Sequence, residues 1–174
     1  MYIIRKKVRK RTPSRMARKK NIDVIGLTGL FKMYSRNDDR PFKQIDEKHN
    51  VITTPCLNRL AMACVAYVFG SHYSIKYLAI GDDNTTVTAA DTVLGNEVFR
   101  TQYVTRGNTS SKVAQGDFYI TATDYTGDIE ELGIFGGTSA TSTADSGGMF
   151  SHVNWSYTKS SAEELLIEYQ VTVS

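Results

Sequence analysis

The sequence is poor in the residues that most often carry chemistry or covalent bracing: of 174 residues two are cysteine, three histidine, three proline and one tryptophan. Cys56 and Cys64 stand eight positions apart in a stretch of helical periodicity. That is roughly 12 Å at 1.5 Å per residue, too far for a disulfide. Both thiols are expected to stay reduced and to serve as small buried hydrophobes. His49, His72 and His152 are scattered, with no CxxC or HExxH pairing, so a zinc site is not expected. Asp82-Asp83-Asn84 lacks the spaced acidic pattern and distal Glu of a calcium loop and reads as a solvated turn. No apolar run approaches the ~20 residues of a membrane-spanning helix. The basic N-terminus is not followed by the apolar segment of roughly 7–15 residues that a secretory signal needs.

Signatures of catalysis are also missing. There is no GxSxG, and Gly133, Gly136 and Gly137 are followed by neither a GK[ST] ending nor a helix that would hold phosphate. Glu130 and Glu131 are adjacent in an expected strand, so they point to opposite faces and do not form a glycosidase pair. Whichever faces inward is expected to make an ion pair or to bind a strand end. No catalytic residue, cofactor or metal is expected, and the chain does not read as an enzyme.

What the sequence does have is an uneven charge. Ten of its 21 basic residues lie in the first twenty positions: Arg5, Lys6, Lys7, Arg9, Lys10, Arg11, Arg15, Arg18, Lys19 and Lys20. No acidic residue accompanies them, so residues 1–20 form an arm of +10. The remainder holds eleven basic and eighteen acidic residues, a net of −7. Like charges and few apolar residues predict an arm that is disordered alone and ordered by a partner. Nucleic acid, a membrane surface, or the acidic body of a neighbouring copy would each attract such an arm, with another subunit or nucleic acid expected to hold it and no membrane partner expected.

Residues 21–174 read as one domain. Ile25, Leu27, Phe31 and Met33 alternate as in a strand, with Gly26 and Gly29 marking a bulge or a close backbone approach. The polar cluster at 36–41 makes a turn to a second strand ending at Val51 and Ile52. A helix is expected at about 54–69, capped by Thr53 or Thr54, with Pro55 in its first turn and Gly70 beyond its end. Leu57, Leu60, Ala61, Cys64, Val65 and Val68 share one face of it, expected to pack on the domain. Six further strands are expected at Ile75–Ile80, Glu97–Thr105, Phe118–Thr123, Ile129–Phe135, Met149–Tyr157 and Leu165–Val173. Between them lie two long polar segments, 81–96 and the low-complexity 136–148, the latter expected to be a mobile excursion. Eight strands and one helix predict a mainly β fold, an antiparallel β-sandwich of jelly-roll-like form.

Four short motifs then occur in order. Asn50, Ile52 and Thr53 open the helix. Ile80, Gly81, Asp91, Thr92, Leu94, Glu97 and Arg100 form the second block, and Glu131, Gly133, Ile134 and Phe135 the third. Lys159, Glu164, Leu166, Ile167, Tyr169, Val171 and Val173 form the last. Together they resemble a group of small structural proteins of tailed bacteriophages found among decoration, tail and fibre components. The resemblance covers residues 49–174 and departs at Pro55-Cys56, where small residues are usual; the basic arm is not part of it. It implies a virion protein without chemistry of its own, with a capsid decoration (cement) protein as first reading and a tail or fibre component, or a nucleic-acid-contacting connector, as alternatives. Its implied partners are copies of itself, a trimer first, and other virion proteins such as the major capsid protein. Glu131 is expected to anchor Arg100 or a loop amide.

Overall fold

The chain forms eight strands, and buried side chains alternate with less buried ones most clearly along the first, fifth and eighth of them. The structure, a computed structural model, describes residues 26–63 and 74–174. In chain order the elements are β1 (Leu27–Asn37), β2 (Lys43–Ile52), α1 (Thr54–Ala63), β3 (Ile75–Gly81), β4 (Glu97–Ser110), β5 (Val113–Ile120), β6 (Gly127–Gly136), β7 (Gly148–Lys159) and β8 (Glu163–Val173). Two strands differ from expectation: β4 runs on to Ser110, and β5 starts and ends earlier than Phe118–Thr123. The basic arm and the expected continuation of the helix past Ala63, including Cys64, Val65 and Val68, lie outside the described residues.

The expected sandwich is not what forms. The strands close into one antiparallel barrel in the order β1-β2-β7-β6-β3-β4-β5-β8. Period-two burial is common to a sandwich and a barrel, so alternation does not separate them; pairing between strands distant in sequence does. β8 is paired along its length on both sides, from Leu27↔Val173 to Asn37↔Glu163 with β1 and from Val113↔Thr172 to Ile120↔Leu165 with β5. Closure is completed by a short seam between β2 and β7, Val51↔His152 and Ile52↔Ser151.

The interior is filled by side chains from β1, β3, β5, β6, β7 and β8, among them Phe31, Met33, Leu78, Ile80, Phe118, Ile129, Leu132, Ile134, Trp155, Leu165, Ile167 and Tyr169. Phe31 packs at 4.8 Å on Tyr169 and edge-on at 6.5 Å to Trp155. Each such side chain contributes about 1.5–3 kcal/mol on leaving water. Gly29 marks the close approach read from the sequence: a Cβ there would lie 2.0 Å from the Asn50 side chain.

A second apolar cluster, Tyr77, Ala79, Leu94, Phe135, Ala140 and Met149, joins alternate residues of β3, β6 and β7 to two loop residues. β3 is buried almost throughout, and β6 from Glu131 to Gly136. Near-continuous burial of this kind means cover on both faces. The barrel fills one face, and the loops 82–96 and 137–147 cover the other.

Helix α1 is oriented by its cap. Thr53 is wholly buried; its hydroxyl donates to the Met149 carbonyl at 2.6 Å and its N–H to the Phe150 carbonyl at 3.2 Å. Its carbonyl receives the Leu57 N–H, and the Thr54 N–H donates to Ala89 at 2.7 Å. The expected apolar stripe therefore does not face the core at Leu57 and Leu60, which are 47% and 44% exposed. Cys56 is the side chain of this turn that packs against the barrel cluster. No helix among the described residues is long and apolar enough to cross a membrane.

Candidate functional site

The densest polar constellation lies under the loop 82–96. It begins at a register position, Gly81 of β3 opposite Glu131 of β6. A Cβ at Gly81 would fall 2.1 Å from Glu131 Oε1, so glycine leaves the space the carboxylate occupies. Glu131, 2% exposed, receives the Gly95 N–H at 3.1 Å and the Asn96 N–H at 3.0 Å. Its Oε2 also lies 2.7 Å from Nε2 of His152, which β7 brings opposite Gly133. Nδ1 of the same ring is 2.8 Å from Asp91 Oδ2. Asp91 in turn receives the Thr88 N–H at 2.8 Å and the Thr88 hydroxyl at 2.6 Å. A carboxylate, an imidazole and a second carboxylate thus join the barrel wall to the loop.

The electrostatics follow from these partners. Burial pulls the His152 pKa down, but the hydrogen bonds and charges of Glu131 and Asp91 outweigh it and raise the ring above its ordinary value. Burial pushes Asp91 up, and the donors Thr88 and His152 bring it below the usual carboxylate range. Asp83 is lowered by its hydroxyl and backbone contacts with Thr85, the turn read from Asp82-Asp83-Asn84. The space beside the ring, about 140 Å³, is lined by Thr85, Thr86, Val93 and Leu94 as well as the three ionisable groups. Both ring nitrogens face carboxylates, so neither has a lone pair free to take a proton from a nucleophile. Among the described residues no group of three His, Cys, Asp or Glu is arranged to hold a metal ion.

The second loop, expected to be mobile, is fastened by a buried ion pair. Arg100 donates from Nε and Nη2 to the two oxygens of Glu97 at 2.6 and 2.7 Å, their side chains 3% and 2% exposed. Its Nη1 donates to the carbonyls of Thr141 and Ser146 at 3.2 and 2.8 Å, and Asp145 N–H donates to Glu97 at 3.0 Å. The guanidinium stacks 4.4 Å from the Phe135 ring. Asp145, Gly137 and Gly147 take positive φ to make the turn. A polar, low-complexity composition suggested motion; backbone carbonyls turned onto one guanidinium fix the loop instead. Of the two partners expected for Glu131, the loop amide is found, whereas Arg100 pairs with Glu97.

The remaining motif residues are also structural contacts. Leu94 packs where a Cβ on Gly133 would lie, 2.8 Å from its Cδ2. Lys159 is fully buried and donates to the carbonyls of Tyr125 and Ser160 at 2.8 and 3.2 Å, with burial lowering its pKa. Glu164 pairs with Arg36. His152 was missed by sequence reading; it lies in a strand buried on both sides of it, opposite Gly133, and gives no local signal.

At the barrel end beside α1 lies a mostly apolar cavity of about 540 Å³, its lining including Cys56, Tyr103, Phe150, Tyr169 and Val171. Burial pushes the Cys56 thiol up to about 11, leaving it protonated and unreactive. Buried oxygens of Asn50 and Ser151 face the buried phenol of Tyr169 here, and burial raises that phenol above its ordinary value. No family model, curated protein or solved structure matches the chain.

Proposed function

We propose that this chain is a non-enzymatic structural subunit of the virion of a tailed bacteriophage, a decoration (cement) protein that stabilises the capsid through contacts with copies of itself and with the major capsid protein. One observation carries the reading. Asp91, Leu94, Glu97, Arg100, Glu131, Gly133 and Phe135, which carry the resemblance to such proteins, converge on holding two long loops rigidly against the outer face of the barrel. A surface that must meet a partner in one shape gains from loops ordered in advance. The basic arm supplies a second contact, to acidic surface on a neighbouring subunit.

The test is a phage lineage carrying the gene with and without an in-frame deletion. Purified wild-type particles are expected to contain the chain in many copies, and particles without it to lose genome at lower temperature or lower salt. Absence from purified particles overturns the proposal. Loss of adsorption with unchanged capsid stability moves the protein to the tail, and an arm crosslinked only to DNA moves it to the connector.

A further inference from the structure

We infer that the loop 82–96 is closed by a pH-sensitive latch, in which a doubly protonated His152 bridges Glu131 and Asp91 and releases the Asp91 side of the loop when the ring loses a proton. The argument is one of donors and acceptors. Carboxylate oxygens accept, and both oxygens of Glu131 receive backbone N–H groups, from Gly95 and Asn96, contacts made to the charged form of the group. Asp91 receives the amide and the hydroxyl of Thr88 in the same way. The 2.7 and 2.8 Å contacts on the two sides of the ring therefore both need an N–H, and only imidazolium has two.

The surroundings offer no substitute charge. From β3 the facing residue is Gly81, without a side chain, and from the loop the facing residues besides Asp91 are the neutral Thr85, Thr86, Val93, Leu94 and Gly95. Asp82 is turned to Asn96 and Asp83 to Thr85, while Arg100 of β4 is committed to Glu97. Loss of the ring proton leaves a nitrogen lone pair against a carboxylate oxygen at contact distance, a repulsive arrangement. The two sides differ in what they can do about it. Glu131 is 2% exposed on its side chain and keeps two amide donors, whereas Asp91 is 24% exposed and can turn to water. The turn Thr88–Asp91 then loses its tie to the barrel wall and loosens, while Thr54 still holds the Ala89 carbonyl, Leu94 stays packed and Gly95 and Asn96 stay bound.

The sign follows from the raised ring pKa: the latch is complete below the ordinary histidine value of about 6.5 and is lost as pH rises through the higher folded value. In ¹⁵N-labelled protein both ring nitrogens of His152 are expected to carry protons at about pH 6, with a titration midpoint above about 6.5. Hydrogen-exchange protection of the Thr88, Ala90 and Asp91 amides, corrected for intrinsic rate, should fall about tenfold or more between about pH 6 and pH 9, with β1 and β8 unchanged. His152→Gln should abolish that pH dependence; should it fail to fold, the ring titration of the wild-type protein and of Asp91→Asn, whose midpoint should drop, decides alone. A singly protonated ring at about pH 6, or loop protection that is constant across the titration, overturns the inference.

Discussion

At the residue scale, the ion pair of Glu97 and Arg100 shows how much one side chain organises. A guanidinium with five donors satisfies a carboxylate and two loop carbonyls at once and stacks on Phe135. Lysine has the charge without the fork. Arg100→Met would leave the buried Glu97 carboxyl without its guanidinium partner, at a cost of about 3–5 kcal/mol in chemical denaturation. The double substitution Arg100→Met with Glu97→Leu should recover most of that loss, and a double-mutant cycle with no coupling would show that the pair contributes only packing. Arg100→Lys should fold but lose the order of the loop 137–147, read as rapid exchange of the Thr141 and Ser146 amides.

At the element scale the ring is uneven. β1 and β8 share eleven paired residues, whereas β2 and β7 share two. Opening should therefore begin at that seam, with the amides of Val51 and Ile52 exchanging orders of magnitude faster than those of Phe31 or Ile167. Equal protection across the two boundaries would mean that the side chains beside the seam, Lys48 over Trp155 at 4.9 Å among them, close it as firmly as backbone bonds do. This unevenness also explains what was legible in the sequence. The number of strands, their approximate places, the β1–β2 hairpin and the inward face of β8 followed from alternation and turn residues. Barrel closure did not, because it rests on two residue pairs about a hundred positions apart. The outer layer of Leu94, Phe135 and Met149 was foreshadowed only by the unbroken apolar character of Tyr77–Ile80 and Leu132–Phe135. The loop network was half legible: Glu131 was singled out with Arg100 or a loop amide as partner, of which only the amide is found, but His152 has no local pattern that marks it, since its partners come from another strand and from a loop 61 positions away.

At the scale of the whole molecule, an arm of +10 and a remainder of −7 make each copy complementary to the next. Self-association should be visible by sedimentation at low salt and should vanish near 1 M salt, where the Debye length falls to about 3 Å. Removal of residues 2–20 should leave a folded barrel that stays monomeric at every salt concentration; persistent oligomers in that truncation would place the contact on the barrel itself. The described chain also begins and ends in one place: Gly26 and Ser174 exchange backbone hydrogen bonds at 2.9 and 3.0 Å, and Val173 N–H donates to the Lys112 carbonyl beside them. A protein fused after Ser174 would therefore stand beside Gly26. The same adjacency allows the chain to be rewired. A short linker from Ser174 to Gly26, with new termini cut at the exposed Asp38-Asp39 turn, would keep every strand neighbour while freeing both ends at a different turn, yielding a barrel of residues 26–174 to which labels attach away from the Gly26–Ser174 edge.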